Sequence, residues 1–373
     1  MAKFDRYFLS QLLTLFGFFS LVLVLVYWVN RAVALFDQLI SNGQSAVVFL
    51  EFSALTLPNV IRVVLPVAAF IAAVYVTNRL SNESELVVVQ STGFSPYRLA
   101  RPVLFFGIIV AILMSILTHI LVPRSTQELT LRTSEIAKNV ASALLVEGTF
   151  MHPSDGITFY IRDISANGEL QDMFLNDERN SNINTTYTAK KALLVREDSG
   201  PKLLMFDGMA QTLRLSDQSL STTTFKDFVF DIGGLISTKD PDRRKISHLT
   251  TPELFAPTDA LLEEVGAPVE KLWIEGHERI SQALICIVAV LAGFSCLMIG
   301  SFSRFGIWKQ VVGAVLLLVV IETLDNTMVD IVSDTPSLWP LMYLATAIGL
   351  LVSLFLLWLS TKPALFTKRV IAP

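Results

Sequence analysis

Arg79-Leu80-Ser81-Asn82-Glu83-Ser84-Glu85-Leu86-Val87-Val88-Val89-Gln90-Ser91-Thr92-Gly93-Phe94-Ser95-Pro96-Tyr97-Arg98-Leu99-Ala100-Arg101 separates two strongly apolar runs, and its reading decides the fold. It is not a loose connector. Asn82 reads as an N-cap with Glu85 three residues on, the spacing of a capping box. Gly93 supplies a left-handed C-terminal stop. Ser95-Pro96 reads as a second N-cap with proline at the first helical position. The stretch therefore predicts a short helix over 82–93, about three turns long, held between two longer ones. Its middle, Leu86-Val87-Val88-Val89, is apolar around most of its circumference, so something has to bury it.

Outward from this stretch the chain is too apolar for a soluble domain: 52% of its 373 residues are hydrophobic, 17% are charged, and the mean hydropathy is +0.56. Apolar runs over 11–29, 47–78 and 97–122 precede a polar region, and three more over 279–302, 308–332 and 337–359 follow it. The first is read as a retained span rather than a cleaved signal, because it is long and no small-x-small site precedes Asn30. The second is longer than a bilayer needs and contains Pro58 and Pro66, so it projects or bends. One side of the six spans carries Lys3, Arg6, Arg79, Arg98, Arg101, Arg304, Lys309, Lys362, Lys368 and Arg369, whereas the short loops of the other carry only Arg31. By the positive-inside rule both termini and the short helix face the cytoplasm, and the large insert lies outside.

The insert predicts strands over 157–164, 170–175, 192–196, 203–206, 209–215 and 225–232, separated by turn residues around 166–169, 198–201 and 216–218. Short strands at that spacing suggest a sandwich or jelly roll over about 144–235. Residues 128–143 read as a helix, and 251–253 and 257–259 as starts of short helices. The fold class is thus an α-helical membrane protein with six transmembrane helices plus a β-jelly-roll domain: 1–122 for the first three spans, 123–275 for the outer domain, and 276–373 for the last three.

Several function classes are excluded. No phosphate-binding loop is present, so ATP hydrolysis is not expected in this chain. His119, His152, His248 and His277 lack ligand spacing, and no metal is expected. Cys286 and Cys296 lie about 15 Å apart along one helix, too far for a disulfide. The net charge of −4 gives no nucleic-acid footprint, and hydrolase signatures are absent. Among membrane residues Arg62 stands out, about 24 Å along its helix from Asn78. Glu322 and Asp325, on one helix face, reach a similar level. Two readings stay open: a structural ion pair between spans, or a cavity in which Arg62, with Arg31, meets an anionic substrate. Glu85 is either a capping partner or a charged contact, and the valines rest on lipid head groups or in a partner's groove.

Ser84 to Ser95, quoted above, resembles the coupling-helix motif of the LptF/LptG (YjgP/YjgQ) permeases. The likeness extends over six spans and an insert between the third and fourth. It implies a multi-pass protein of the bacterial inner membrane that extracts lipopolysaccharide, with a periplasmic jelly roll. It implies a second, LptG-like or LptF-like permease as partner. An LptB-like ATPase dimer would use ATP and Mg, this chain holding no cofactor itself, and an LptC and LptA-like periplasmic bridge would receive the lipid. Carried over by position, the coupling glutamate falls on Glu85, with Leu86, Val87, Val88, Val89 and Gly93 completing the ATPase-coupling helix. Arg31 is the candidate for glycolipid contact, Arg62 and Arg132 are weaker ones, and Glu322 and Asp325 fall near a lateral gate. Trp273-Ile274-Glu275-Gly276-His277-Glu278-Arg279-Ile280-Ser281 and Asn176-Asp177-Glu178-Arg179 are similar to the LptF side of the family. The rival classes are a non-transporting membrane scaffold with a protein-binding β domain and a membrane-embedded lipid enzyme.

Overall fold

The structure is a computed structural model that describes residues 3–41, 46–143, 147–154, 156–165, 168–180, 182–197, 200–231, 244–299 and 308–362. The predicted turn residues 166–167 and 198–199, the C-terminal part of the fourth run, and Arg304, Lys368 and Arg369 lie outside them. The chain divides into a helical unit, 1–129 with 244–373, and a β unit, 130–243.

The helical unit contains α1 (Lys3–Ser41), α2 (Ala46–Asn82), α3 (Glu85–Ser91), α4 (Pro96–Ile116), the start of α5 (Val122–Ala143), α6 (Thr251–Phe255), α7 (Asp259–Val265), α8 (Val269–Leu297), α9 (Trp308–Asp334) and α10 (Leu344–Ser360). Among the described residues six helical segments are long and apolar enough to span a bilayer: Lys3–Phe36, Ala46–Asn82, Pro96–Ser134, Val269–Leu297, Trp308–Asp334 and Pro336–Ser360. The main core joins α1, α2, α4 and α8. Phe8, Phe106 and Phe294 are fully buried, with Phe8 against Phe294 at 6.1 Å and Phe16 edge-on to Phe106 at 5.5 Å. Ala68, Ala69, Ala72 and Ala73 of α2 let the neighbouring backbones approach.

α2 stays helical through Pro58 and Pro66. Each proline lacks the N–H that would bond four residues back, which frees the carbonyls of Ala54 and Arg62. α4 starts where the sequence predicts, with the Ser95 hydroxyl accepting from the Arg98 N–H at 3.3 Å and Pro96 in the first turn. Ser95→Ala should lower stability by about 1 kcal/mol, read as an earlier thermal transition of the detergent-solubilised chain. α4 continues into α5 through a π turn, Leu117–Leu121, and His119 Nδ1 lies 2.7 Å from the Thr251 hydroxyl.

The sequence assigns residues 244–275 to the outer domain, but they belong to the helical unit. Buried Arg279 of α8 explains why. Its guanidinium donates to the Leu249 carbonyl at 2.8 Å and pairs with Glu275 at 3.0 Å. A buried guanidinium left without those partners would be costly. The Thr250 N–H and hydroxyl both reach Glu253, closing a capping box over α6, and Arg244 grips Glu253 from outside at 3.1 Å. Burial, helped by Lys245 and Arg244, lowers the pKa of nearby His248.

The β unit is one antiparallel sheet of β1 (Phe150–Ser154), β2 (Ile157–Ile164), β3 (Leu170–Asn180), β4 (Ile183–Glu197), β5 (Gly200–Arg214) and β6 (Ser219–Asp231) in sequential order. The described strands contain no Greek-key crossover. A crease instead lets one sheet supply two layers. Ile161, Met173, Ala189, Gly208 and Phe225 make an inward row across β2 to β6. Two residues outside the core follow on each strand, and Ile164, Leu170, Ala192, Met205 and Phe228 then form the next inward row. A flat strand alternates with period two, so this slip at one level on five strands folds the sheet. Tyr187 and Phe228 lie on opposite sides of the crease and two strands apart, yet their rings stack at 5.3 Å.

The crease corrects the separate strands expected over 203–206 and 209–215. They are one strand, β5, whose interruption is Asp207 in the left-handed region (φ 48°). Asp172 on β3 does the same (φ 47°) and receives Arg162 at 3.0 Å. A β-branched residue tolerates positive φ poorly. Asp207→Val should therefore cost about 1–2 kcal/mol and Lys226→Val, the neighbour on β6, far less, in thermal unfolding of the full chain.

Candidate functional site

The quoted stretch folds as two helices with a tight step between them. α2 keeps its own bonds to the end: the Glu83 N–H reaches the Arg79 carbonyl at 2.9 Å, and that of Ser84 reaches Ser81 at 3.1 Å. Asn82 is the last residue of α2, so it cannot take the extended backbone of an N-cap, and the predicted capping box with Glu85 does not form. Ser84 precedes α3 with φ 62° and no side-chain cap, and the helix is the seven residues Glu85–Ser91 rather than 82–93. Glu85 is instead reached by the Tyr7 hydroxyl of α1 at 3.4 Å. Gly93, at φ +93°, ends the turn as the sequence predicts.

The four apolar residues of α3 divide into two pairs. Leu86 is buried, and Val89 packs on the same core as Phe8 and Leu80. Val87 and Val88 point away, 42% and 60% exposed. The expectation of a helix uncovered around most of its circumference therefore narrows to two valines. Before α3 Arg79 pairs with Glu83 at 3.6 Å, and after it Arg98 lies over the Phe94 ring at 4.0 Å. Half of α3 is thus bolted to the bundle while the other half presents an apolar spot.

The membrane residues form a second constellation. Arg62 of α2, Glu322 and Asp325 of α9, and Glu278 and Gln282 of α8 line one cavity of about 510 Å³. Val63, Val67, Met114, Ile285 and Leu318 supply its apolar wall. Asp325 is buried and accepts from the Ser281 hydroxyl at 3.1 Å, while Glu278 accepts from Gln282 at 2.9 Å. Among the described residues no carboxylate makes a contact ion pair with Arg62 within 4.0 Å, but Glu278 of α8 lies near enough to feel its charge, so the two spans interact electrostatically across the cavity. Arg31, exposed on α1, is not among the lining residues, and Arg132 lies on α5. Glu278 was missed because the fourth span was read as starting at Arg279, and Gln282, inside that span, because it carries no charge. The spacing of Glu278, Gln282 and Ile285, one helical face, was the signal available. No group of three His, Cys, Asp or Glu among the described residues is arranged to hold a metal.

Comparison with known proteins agrees with this architecture. Residues 6–359 match the family model for the lipopolysaccharide export system permease LptF/LptG. A protein of Rickettsia prowazekii carried as uncharacterized is 23% identical over 313 residues, 83% of this chain and 84% of that one. The lipopolysaccharide export system permease proteins LptF of Escherichia coli and Shigella flexneri are each 23% identical over 220 residues, 59% of this chain and 57% of theirs. With the family matched along nearly its whole length, and with six candidate spans and a sheet domain in place, this chain belongs to the LptF/LptG family of lipopolysaccharide export permeases.

Proposed function

We propose that this chain is one of two permease subunits of an ABC exporter that draws lipopolysaccharide sideways out of the inner membrane and passes it along its β domain. The observation that carries the reading is α3, a helix anchored by Leu86 and Val89 that leaves Val87 and Val88 outward in a chain without a nucleotide loop. An ATPase dimer using ATP and Mg, with a groove that takes the two valines and a basic group for Glu85, supplies the missing motor. α3 and both termini then face the cytoplasm, and the β domain lies in the periplasm, as the distribution of Lys and Arg supports. Arg31, exposed on α1, is the residue we assign to glycolipid phosphate. On the inner face of the creased sheet the partly buried Tyr187, Phe225 and Phe228 are the aromatics we assign to acyl chains, for delivery to an LptC and LptA-like bridge.

Photocrosslinkers placed at Arg31 and Tyr187 test the whole path in cells. The exporter gives lipopolysaccharide adducts at both positions, and those at Tyr187 vanish when ATP is depleted. A membrane scaffold gives protein adducts at Tyr187 and no glycolipid at Arg31, which would replace the reading.

A further inference from the structure

The cavity has a position and a charge pattern that single it out from a general lipid-facing surface. α2, α8 and α9 share one end, where Phe70 and Val74 pack with Leu297, Ala314 and Leu318. Counting along the helices from that end, Arg62 lies about 26 Å from Arg79, Asp325 about 26 Å from Trp308 and Glu278 about 29 Å from Leu297. A hydrocarbon core is about 30 Å thick, so with Arg79, Trp308 and Leu297 at one boundary all three fall close to the opposite one. Trp273 and Trp339, both near half exposed, stand on segments bordering that level, as interfacial aromatics do.

Above Leu318 the apolar contact between α2 and α9 gives way to the cavity, and Pro66, on its wall, leaves the Arg62 carbonyl without its helical bond. Arg62 contributes the cationic side. Asp325, only 8% exposed, Glu322 and Glu278 contribute the acidic side. The Gln282 Oε1, also on the wall, is buried without any hydrogen-bond partner, although its own Nε2 is satisfied by Glu278. A buried acceptor left open is an unmet demand for a donor. A purely anionic head would face four carboxylates, Glu278, Glu322, Asp325 and the exposed Asp330, with one guanidinium to hold it, and a purely cationic one would make no use of Arg62.

We propose that this cavity, within a single chain, binds a lipid head group carrying both a phosphate and a primary ammonium, that is, a phosphoethanolamine. Arg62 takes the phosphate through its planar fork of donors. The ammonium has three N–H groups to place, and Glu322, Asp325 and the Gln282 carbonyl are three acceptors. Val63, Val67 and Leu318 receive the first carbons of the lipid. The head group can come from membrane phosphatidylethanolamine or from a glycolipid decorated with phosphoethanolamine.

The test uses the full chain in nanodiscs of mixed phosphatidylethanolamine, phosphatidylglycerol and phosphatidylcholine, with retained lipid read by native mass spectrometry. Wild type should keep phosphatidylethanolamine about tenfold over either other lipid. Arg62→Gln should lose that retention, and Glu322→Gln with Asp325→Asn should erase the preference over phosphatidylcholine, whose head cannot donate. Val63→Trp, which fills the cavity from its apolar wall without touching a charge, must also displace the lipid, so the outcome does not hang on the folding of the charge variants. Added lipid A bearing phosphoethanolamine that competes, where undecorated lipid A does not, assigns the site to the export substrate. Continued retention of phosphatidylethanolamine against both assigns it to bulk phospholipid. Equal retention of the three lipids by wild type, or retention unchanged in Val63→Trp, overturns the proposal. Copurification with an ATPase is independent of this readout, so loss of the head-group site leaves the permease reading standing.

Discussion

Val87→Asp combined with Val88→Asp is expected to abolish copurification of the chain with the proposed ATPase partner while leaving the fold intact. Burying a valine contributes about 1.5–3 kcal/mol, and two of them together correspond to a loss of about a hundredfold or more in affinity. The fold should survive because both side chains already face outward, whereas Leu86 and Val89 hold α3 to the core. Glu85 separates cleanly from stability for the same kind of reason. Its side chain caps nothing, so Glu85→Gln and Glu85→Ala should unfold at nearly the wild-type temperature. Any loss of ATPase binding common to both is then due to the charge. An ATPase that remains bound to the double valine variant would end the docking role of α3. The measurement is affinity purification from membranes with a thermal-unfolding control in detergent.

Gly208→Val should have the largest structural effect in the β unit. A Cβ built at Gly208 would lie 2.4 Å from the Thr188 carbonyl oxygen and 2.4 Å from the Phe225 ring, so a backbone group, not merely a flexible side chain, stands in its way. Gly208 belongs to the inward row at the crease, where the two layers converge. Overpacking there costs on the order of 3 kcal/mol or more, a large part of the total stability of a domain this small. Limited proteolysis of the full chain should show the insert cut at low protease while the helical unit persists. Met209→Val, one residue along the same strand, should leave the digestion pattern unchanged. An intact insert in Gly208→Val would mean that the crease can open to make room.

Much of the fold was legible because it is written in short-range chemistry. Six apolar runs of sufficient length, the Ser95-Pro96 helix start, the Gly93 stop and the Thr251 and Asp259 helix starts depend on neighbouring residues alone, and each appears where its local pattern puts it. The capping box at Asn82 failed although its spacing was good. A long helix already in progress kept its hydrogen bonds to the end, and propagation of that kind outweighs a competing local start. The crease was hidden for a different reason. Its slip on β5 looks in one dimension like a gap between two strands, and only alignment with Asp172 and the rows of β2, β4 and β6 shows that the gap is a fold line.

The sequence by itself determined that the chain is a membrane protein with a β insert, that a short helix interrupts its spans, and which family it resembles, because apolar length, turn chemistry and a local motif are properties of consecutive residues. Tertiary structure alone decided that Val87 and Val88, but not Leu86 and Val89, are free on α3. It also decided that Arg62, Glu278, Gln282, Glu322 and Asp325, carried by three separate helices, share one cavity. Which face of a helix is covered depends on what packs against it, and that partner lies far away in the chain.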